Sequence, residues 1–173
     1  MQHYFKLVFK ILFFKESPEN VPYSLSLLGL SFIIYFALLL LSYPQNISFV
    51  KPIGFILFWL GYTFYILKIK KMQNRFVQTM STLFLVSSMI QVAKILIIQL
   101  AWLLMSLFLT PGFSSLSAKL IFIPMTLTGL VYLWELLAIS FIYKQALGIK
   151  NYLALLITLT LVIVAALIFY AVN

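Results

Sequence analysis

The sequence contains no cysteine, a single histidine (His3) and only three acidic residues, Glu16, Glu19 and Glu135. Each shortage excludes chemistry. Without cysteine there is no disulfide framework, no thiolate nucleophile and no Cys-ligated zinc or iron–sulfur site. One histidine near the N-terminus makes a His-based metal site or a haem ligand inside the chain a poor expectation. Three scattered glutamates leave almost nothing from which to build paired-carboxylate catalysis or a multi-carboxylate metal site. No cofactor is expected. The sequence carries no phosphate-binding, dinucleotide-binding, zinc-protease, nucleophile-elbow or calcium-loop motif. The many serines have no histidine near an apolar run to activate them.

What the chain has instead is apolar mass. Of 173 residues, 64% are hydrophobic and 9% charged, and the mean hydropathy is +1.12. An ordinary soluble domain carries about 25% charged and 45–50% apolar residues. A soluble domain is therefore excluded, and so is a disordered chain. At roughly 20 residues per bilayer crossing, the length admits about five or six helices and no sizeable aqueous domain. The net charge of +9 would ordinarily raise nucleic acid as a partner. Here the bases flank apolar runs, so membrane lipids with anionic headgroups are the expected partner and nucleic acid is not.

The first segment, QHYFKLVFKILFFK, places Phe5, Phe9, Leu12 and Phe13 at i, i+4, i+7 and i+8, one helical face. Lys6 and Lys10 are also four apart. The pattern predicts an amphipathic helix over 2–16 lying in the headgroup region, its lysines reaching phosphate. A signal peptide competes poorly, because Lys6, Lys10 and Lys15 interrupt the apolar stretch such a segment needs. Pro18 and Pro22 then break the helix.

Five spans follow, expected at about 23–43, 49–67, 76–109, 120–143 and 152–172, all within one membrane domain covering 1–173. The fold class is all-α: a polytopic transmembrane helix bundle of five spans plus the N-terminal interfacial helix. Tyr23 and Tyr43 bracket the first span as interfacial aromatics do. Pro44-Gln45-Asn46 reads as a loop, Lys51-Pro52 opens the second span, and Pro111-Gly112-Phe113-Ser114-Ser115 reads as a turn. The third run would reach roughly 50 Å against a hydrocarbon core of about 30 Å. With no Pro or Gly inside it, one long helix, tilted or protruding, is expected. Pro124 sits early in the fourth span, where membrane helices tolerate it.

Five crossings put Lys6, Lys10 and Lys15, the cluster Lys68, Lys70, Lys71 and Arg75, and Lys144 and Lys150 on one side. Lys51 and Lys119 alone fall on the other. Splitting the third run in two would weaken that asymmetry. The positive-inside rule then puts the N-terminus in the cytoplasm and the C-terminus outside.

The candidate intramembrane polar contacts are Glu135, Lys94 and Gln91. A carboxylate inside a span is costly and normally faces protein or water. A structural or partner-contact role is expected for Glu135, with Glu135→Gln nearly neutral; a proton or ion site is the competing reading. Counting along the expected helices puts Lys94 about 27 Å and Glu135 about 12 Å from the cytoplasmic side. That mismatch disfavours a direct ion pair and leaves Lys94 to reach the outer interface. Lys6, Lys10, Lys68, Lys70, Lys71 and Arg75 are candidate headgroup contacts, although a basic loop is more often only a topology signal. Small residues at Gly54, Gly61, Gly129, Ser81, Ser87 and Ser88 would let helices approach closely.

An amphipathic start, a proline-containing break into VPYSLSLLGLSF, a basic loop before RFVQTMSTLF, and the Trp-bearing VYLWELLAISFIYKQALGIKNYLALL together give a layout that resembles a bacterial member of the Yip1-like membrane protein family. The likeness runs over nearly the whole chain. Eukaryotic members carry a long cytosolic N-terminal region with a DLYGP-type motif and act in vesicle traffic with small GTPases. Both features are missing here, so that role is not implied. The resemblance implies a small, non-catalytic, five-span protein working through partners or the bilayer. The expected function is thus a structural or accessory subunit, or scaffold, packing against other inner-membrane proteins. The alternative is a small transporter, channel or lipid-handling protein, with a membrane-embedded enzyme a distant third.

Overall fold

The computed structural model describes residues 2–42, 50–108 and 114–171, and these residues contain no β-strand. Among the described residues six α-helices form: α1 (Gln2–Leu12), α2 (Leu25–Ser42), α3 (Val50–Ile69), α4 (Phe76–Phe108), α5 (Ser114–Leu147) and α6 (Asn151–Ala171). Short 3-10 turns at Pro18–Asn20 and Gln73–Arg75 precede α2 and α4. Four of the helices have stretches long and apolar enough to cross a membrane: Leu25–Ser42, Lys51–Ile69, Gln73–Leu104 and Phe122–Leu147. In α6, the apolar run Asn151–Leu167 is shorter than that standard. The expected loop at Pro44-Gln45-Asn46 lies outside the described residues, as do Pro111, Gly112 and Phe113.

Helix boundaries follow local chemistry. At α5 they depart from the expected 120–143. Ser114 and Ser115, expected in a turn, are helical, because a helix needs only its backbone ladder and can run past its apolar stretch into a polar turn. At the other end Ile142, Tyr143, Ala146 and Leu147 are all buried, so the helix continues until Gly148 stops it with φ +60°. The Ile149 N–H then bonds Lys144 O at 3.2 Å, the six-to-one closure of a Schellman cap. The same closure ends α1 through Phe14 (φ 60°) and α3 through Lys71 (φ 56°), with Lys15 N–H bonding Lys10 O and Met72 N–H bonding Leu67 O, both at 2.8 Å. Helix α1 accordingly stops at Leu12 rather than at residue 16.

Helix α4 is the central element, packed on α2 along one side and α5 along the other, while α6 lies on α5 and α3 closes against α6 and α4. The arrangement is up and down. Arg75, at the start of α4, bonds Ala146 O near the end of α5 at 3.4 Å. Ser and Thr allow the close approach along α4: Ser81, Thr82 and Ser87 are fully buried, and Ser81 and Thr82 return their hydroxyls to the carbonyls of Val77 and Gln78, each at 2.7 Å. A hydroxyl closed onto its own helix removes its polarity from the interface. The glycines act differently from expectation. A Cβ at Gly54, Gly61 or Gly129 would meet nothing within 4 Å, so no helix approaches them closely.

The core is aromatic. The Tyr35, Trp59 and Phe84 ring centroids lie 5.5–5.8 Å apart, within the range of favourable ring packing. The buried Trp59 Nε1 donates to Tyr143 Oη at 3.1 Å, and Thr63 Oγ1 shares a 2.7 Å bond with the same phenol. Three polar tips that burial would otherwise orphan are thereby satisfied, which joins α3 to α5.

Candidate functional site

Two places concentrate polar chemistry, one at the basic end of the bundle and one inside it. At the basic end, the linker after α1 is clasped to α4. Arg75 pairs with Glu19 at 2.5 Å, and Gln78 Nε2 donates to Val21 O at 2.9 Å, while Val21 itself is 1% exposed. Arg75, expected to face lipid headgroups, is therefore held in an internal contact. Lys68, Lys70 and Lys71 are exposed at the same end, as are Lys6 and Lys10 on α1. Lys10 also pairs with Glu16 at 3.1 Å. The Lys10 ammonium, together with the Asn20 amide, holds the Glu16 carboxyl below its ordinary value.

Helix α1 is seated on the protein. Val8, Ile11 and Leu12 are buried, and the ring of Phe14 packs on Trp134 and Phe141 of α5 at 5.0 and 5.2 Å. Of the apolar face expected to dock in lipid, Leu12 is inside the protein, while Phe9 and Phe13 stay about half exposed. The side chain of Phe5 lies outside the described residues. The reason is the width of the apolar arc. It covers more than half the helix, so one edge packs on α4 and α5 while the other remains free.

Inside the bundle, Lys94 of α4 and Glu135 of α5 form an ion pair. This overturns the depth argument against it. Because α5 extends to Leu147, Glu135 lies about 18 Å, not 12 Å, from the basic end. The remaining gap of about 9 Å against Lys94 is closed by side-chain direction. Each Cα–Cβ bond leans toward its own helix N-terminus. In antiparallel helices the Lys94 stem therefore runs back toward the basic end while Glu135 leans away from it, and the two meet. With Lys94 and Glu135 joined, Glu135→Gln is no longer a neutral change, since it would leave a buried ammonium without its counter-ion.

The pair sits on the floor of a cleft of about 550 Å³ bounded by α2, α3, α4, α5 and α6. Tyr35, Leu39, Trp59, Ile139, Leu161 and Ala165 are among its apolar and aromatic walls. The Lys94 Nζ lies 4.1 Å from the centroid of the Tyr132 ring, a cation–π distance. Gln91, one helical turn before Lys94, donates its amide to Ser42 Oγ at 2.6 Å, and Ser42 donates to Leu38 O at 2.6 Å. Lys94, Glu135 and Gln91 thus share one cleft. Tyr132 and Ser42 join them without having been anticipated. Tyr132 was findable, because it stands three residues before Glu135 on the same helical face. Ser42 was not, since only the parallel packing of α2 on α4 brings it to Gln91.

Among the described residues no three His, Cys, Asp or Glu side chains gather. The cleft's chemistry is that of paired opposite charges on an apolar ground, with hydrogen-bonding capacity left over. Glu135 uses one carboxylate oxygen, and Lys94 uses one N–H direction on the carboxylate and another on the Tyr132 face. Comparison with protein-family models, curated proteins and solved structures finds no match to this chain.

Proposed function

We propose that the chain is a non-catalytic, five-span integral membrane protein of the Yip1-like kind, in a bacterial inner membrane. Its N-terminus is cytoplasmic and its C-terminus periplasmic, and it serves as an accessory subunit or scaffold for other membrane proteins. Anionic lipid headgroups at the basic end are its bilayer partners, contacted by Lys6, Lys10, Lys68, Lys70 and Lys71. The fifth crossing is α6, and the half-exposed edge of α1, with Phe9 and Phe13, rests in the interface.

The observation that carries the subunit reading is the α4–α5 hairpin. At 33 and 34 residues these helices are about 50 Å long, against about 27–32 Å for α2, α3 and α6. Among the described residues, few from other helices pack on their far ends. Leu96, Leu100 and Trp102 on α4, and Phe122, Met125 and Leu130 on α5, are 48–70% exposed. A projecting apolar hairpin of this kind gives a neighbouring membrane protein two helix faces to pack against.

Extraction in mild detergent followed by native co-purification tests the reading. The protein should leave the membrane with a fixed partner, and Trp102→Ser together with Phe122→Ser should release that partner while the protein itself stays folded. Recovery of the wild-type protein alone would overturn it.

A second reading, a small transporter, channel or lipid-handling protein, is favoured by one observation. Several polar residues converge in the cleft between the spans, as intramembrane ligand sites require.

A further inference from the structure

We infer that the cleft around Lys94 and Glu135 is a binding site for a zwitterionic lipid headgroup bearing one phosphate and one primary ammonium, as in phosphatidylethanolamine. The inference deepens the lipid-handling reading and rests on it only for what the bound lipid is for.

The charges select the class. Lys94 and Glu135 cancel, so the floor of the cleft carries no net charge, and a ligand with net charge would leave one charge uncompensated in an apolar site. A headgroup with its own internal pair matches the floor point for point. Phosphate goes to Lys94, and the ammonium goes to the Glu135 oxygen not used by Lys94. Gln91 has a carbonyl oxygen and a second N–H beyond its bond to Ser42.

The donor count selects the ammonium. A carboxylate accepts hydrogen bonds, and a primary ammonium supplies three N–H groups where a quaternary one supplies none. A quaternary headgroup would need an open aromatic face instead; the ring of Tyr132 is taken by Lys94, Tyr35 and Trp59 are only 4% and 1% exposed, and Phe55 packs on Trp59 at 5.6 Å.

The walls select a lipid over a free zwitterion. Leu39, Phe55, Leu133, Leu161 and Val162 add apolar surface to the lining, and of these Leu133 and Val162 are 61% and 46% exposed. The cleft therefore opens sideways at the flank of α5 and α6, where acyl chains can remain in the bilayer. The volume of about 550 Å³ lies in the range of ligand-sized sites.

Two variants probe the site without leaving a buried charge unpaired. Gly129 lines the cleft, and an added Cβ there meets nothing within 4 Å, so Gly129→Phe sets a ring at the cleft's edge with no clash at the Cβ. The double substitution Lys94→Met with Glu135→Gln removes both charges together.

The full-length protein is purified, exposed to mixed micelles of equimolar phosphatidylethanolamine, phosphatidylglycerol and phosphatidylcholine, stripped of loose lipid, and weighed intact with its retained lipid. The wild type should keep phosphatidylethanolamine over the other two by about tenfold, the scale of one charge-assisted contact. Gly129→Phe, with an unchanged melting temperature, should retain none. The double variant should hold lipid without regard to headgroup. Equal retention of all three lipids by the wild type overturns the site, as does a preference for phosphatidylglycerol, which would mean that the lysine acts alone. Displacement of the lipid by soluble phosphoethanolamine at equal concentration overturns the lipid assignment in favour of a free zwitterion. Transfer of labelled phosphatidylethanolamine between vesicle leaflets is measured separately. Selective retention without transfer leaves the site standing and removes the handling role.

Discussion

Lys94 and Glu135 are the residues whose placement most changes how the chain reads. Each alone in an apolar helix is expensive; together they cost less, and they fix α4 against α5 at one register. A buried pair is weak evidence for stability but strong evidence against removing one member. Lys94→Met alone or Glu135→Gln alone should therefore lower stability by up to about 3–5 kcal/mol. The double variant should lose clearly less than the two single losses together. Unfolding of the four proteins in the same mild detergent gives the cycle. Simple additivity would mean that the two side chains do not meet. Glu135 stands out in the sequence as the one acid within an apolar run, and Lys94 as the matching base. Their contact was hidden because it depends on where α5 ends and on which way each side chain leans, and neither is a property of the residues themselves.

Helix α1 shows the same division at the scale of an element. Its existence and basic, aromatic character are plain from spacing. Which edge of its wide apolar arc faces protein is not, because periodicity locates an arc and not its neighbour. The buried edge predicts an ordering of effects. Ile11→Ser should release α1 from the bundle at a cost of roughly 1.5–3 kcal/mol, the value of one buried aliphatic side chain. Phe9→Ser, at a position 51% exposed, should leave α1 docked on α4 and α5. Amide exchange across residues 2–12 distinguishes the two. Loss of protection in Phe9→Ser with retention in Ile11→Ser would place the helix the other way round.

For the whole molecule, the alternation of helix directions brings Lys68, Lys70, Lys71 and Arg75 to the end that also carries Glu19, Ala146 and Lys150. Loop charge and helix packing thus agree on which ends belong together, and under the proposed orientation the concentration of positive charge would face the cytoplasm. A reporter fused within Lys68–Arg75 should behave as cytoplasmic and one fused after Asn173 as periplasmic. Both on one side would remove the odd number of crossings from the proposal. The same packing leaves the α4–α5 hairpin longer than its neighbours; the apolar run from Phe76 shows the α4 half of that length, whereas α5 exceeds the expected 120–143 at both ends.

The sequence by itself determined the class, the number of apolar runs and most helix limits. Those depend on composition and short-range spacing: α2, α3, α4 and α6 lie within two residues of where the apolar runs place them, because leaving or entering hydrocarbon is a local matter. Only the tertiary structure decided that Ser42 meets Gln91, that Arg75 is held by Glu19 and Ala146, and that Lys94 and Glu135 face one cleft. These contacts join residues 41 to 71 positions apart. Their partners are chosen by helix register and side-chain direction, which the chain acquires only when its helices pack.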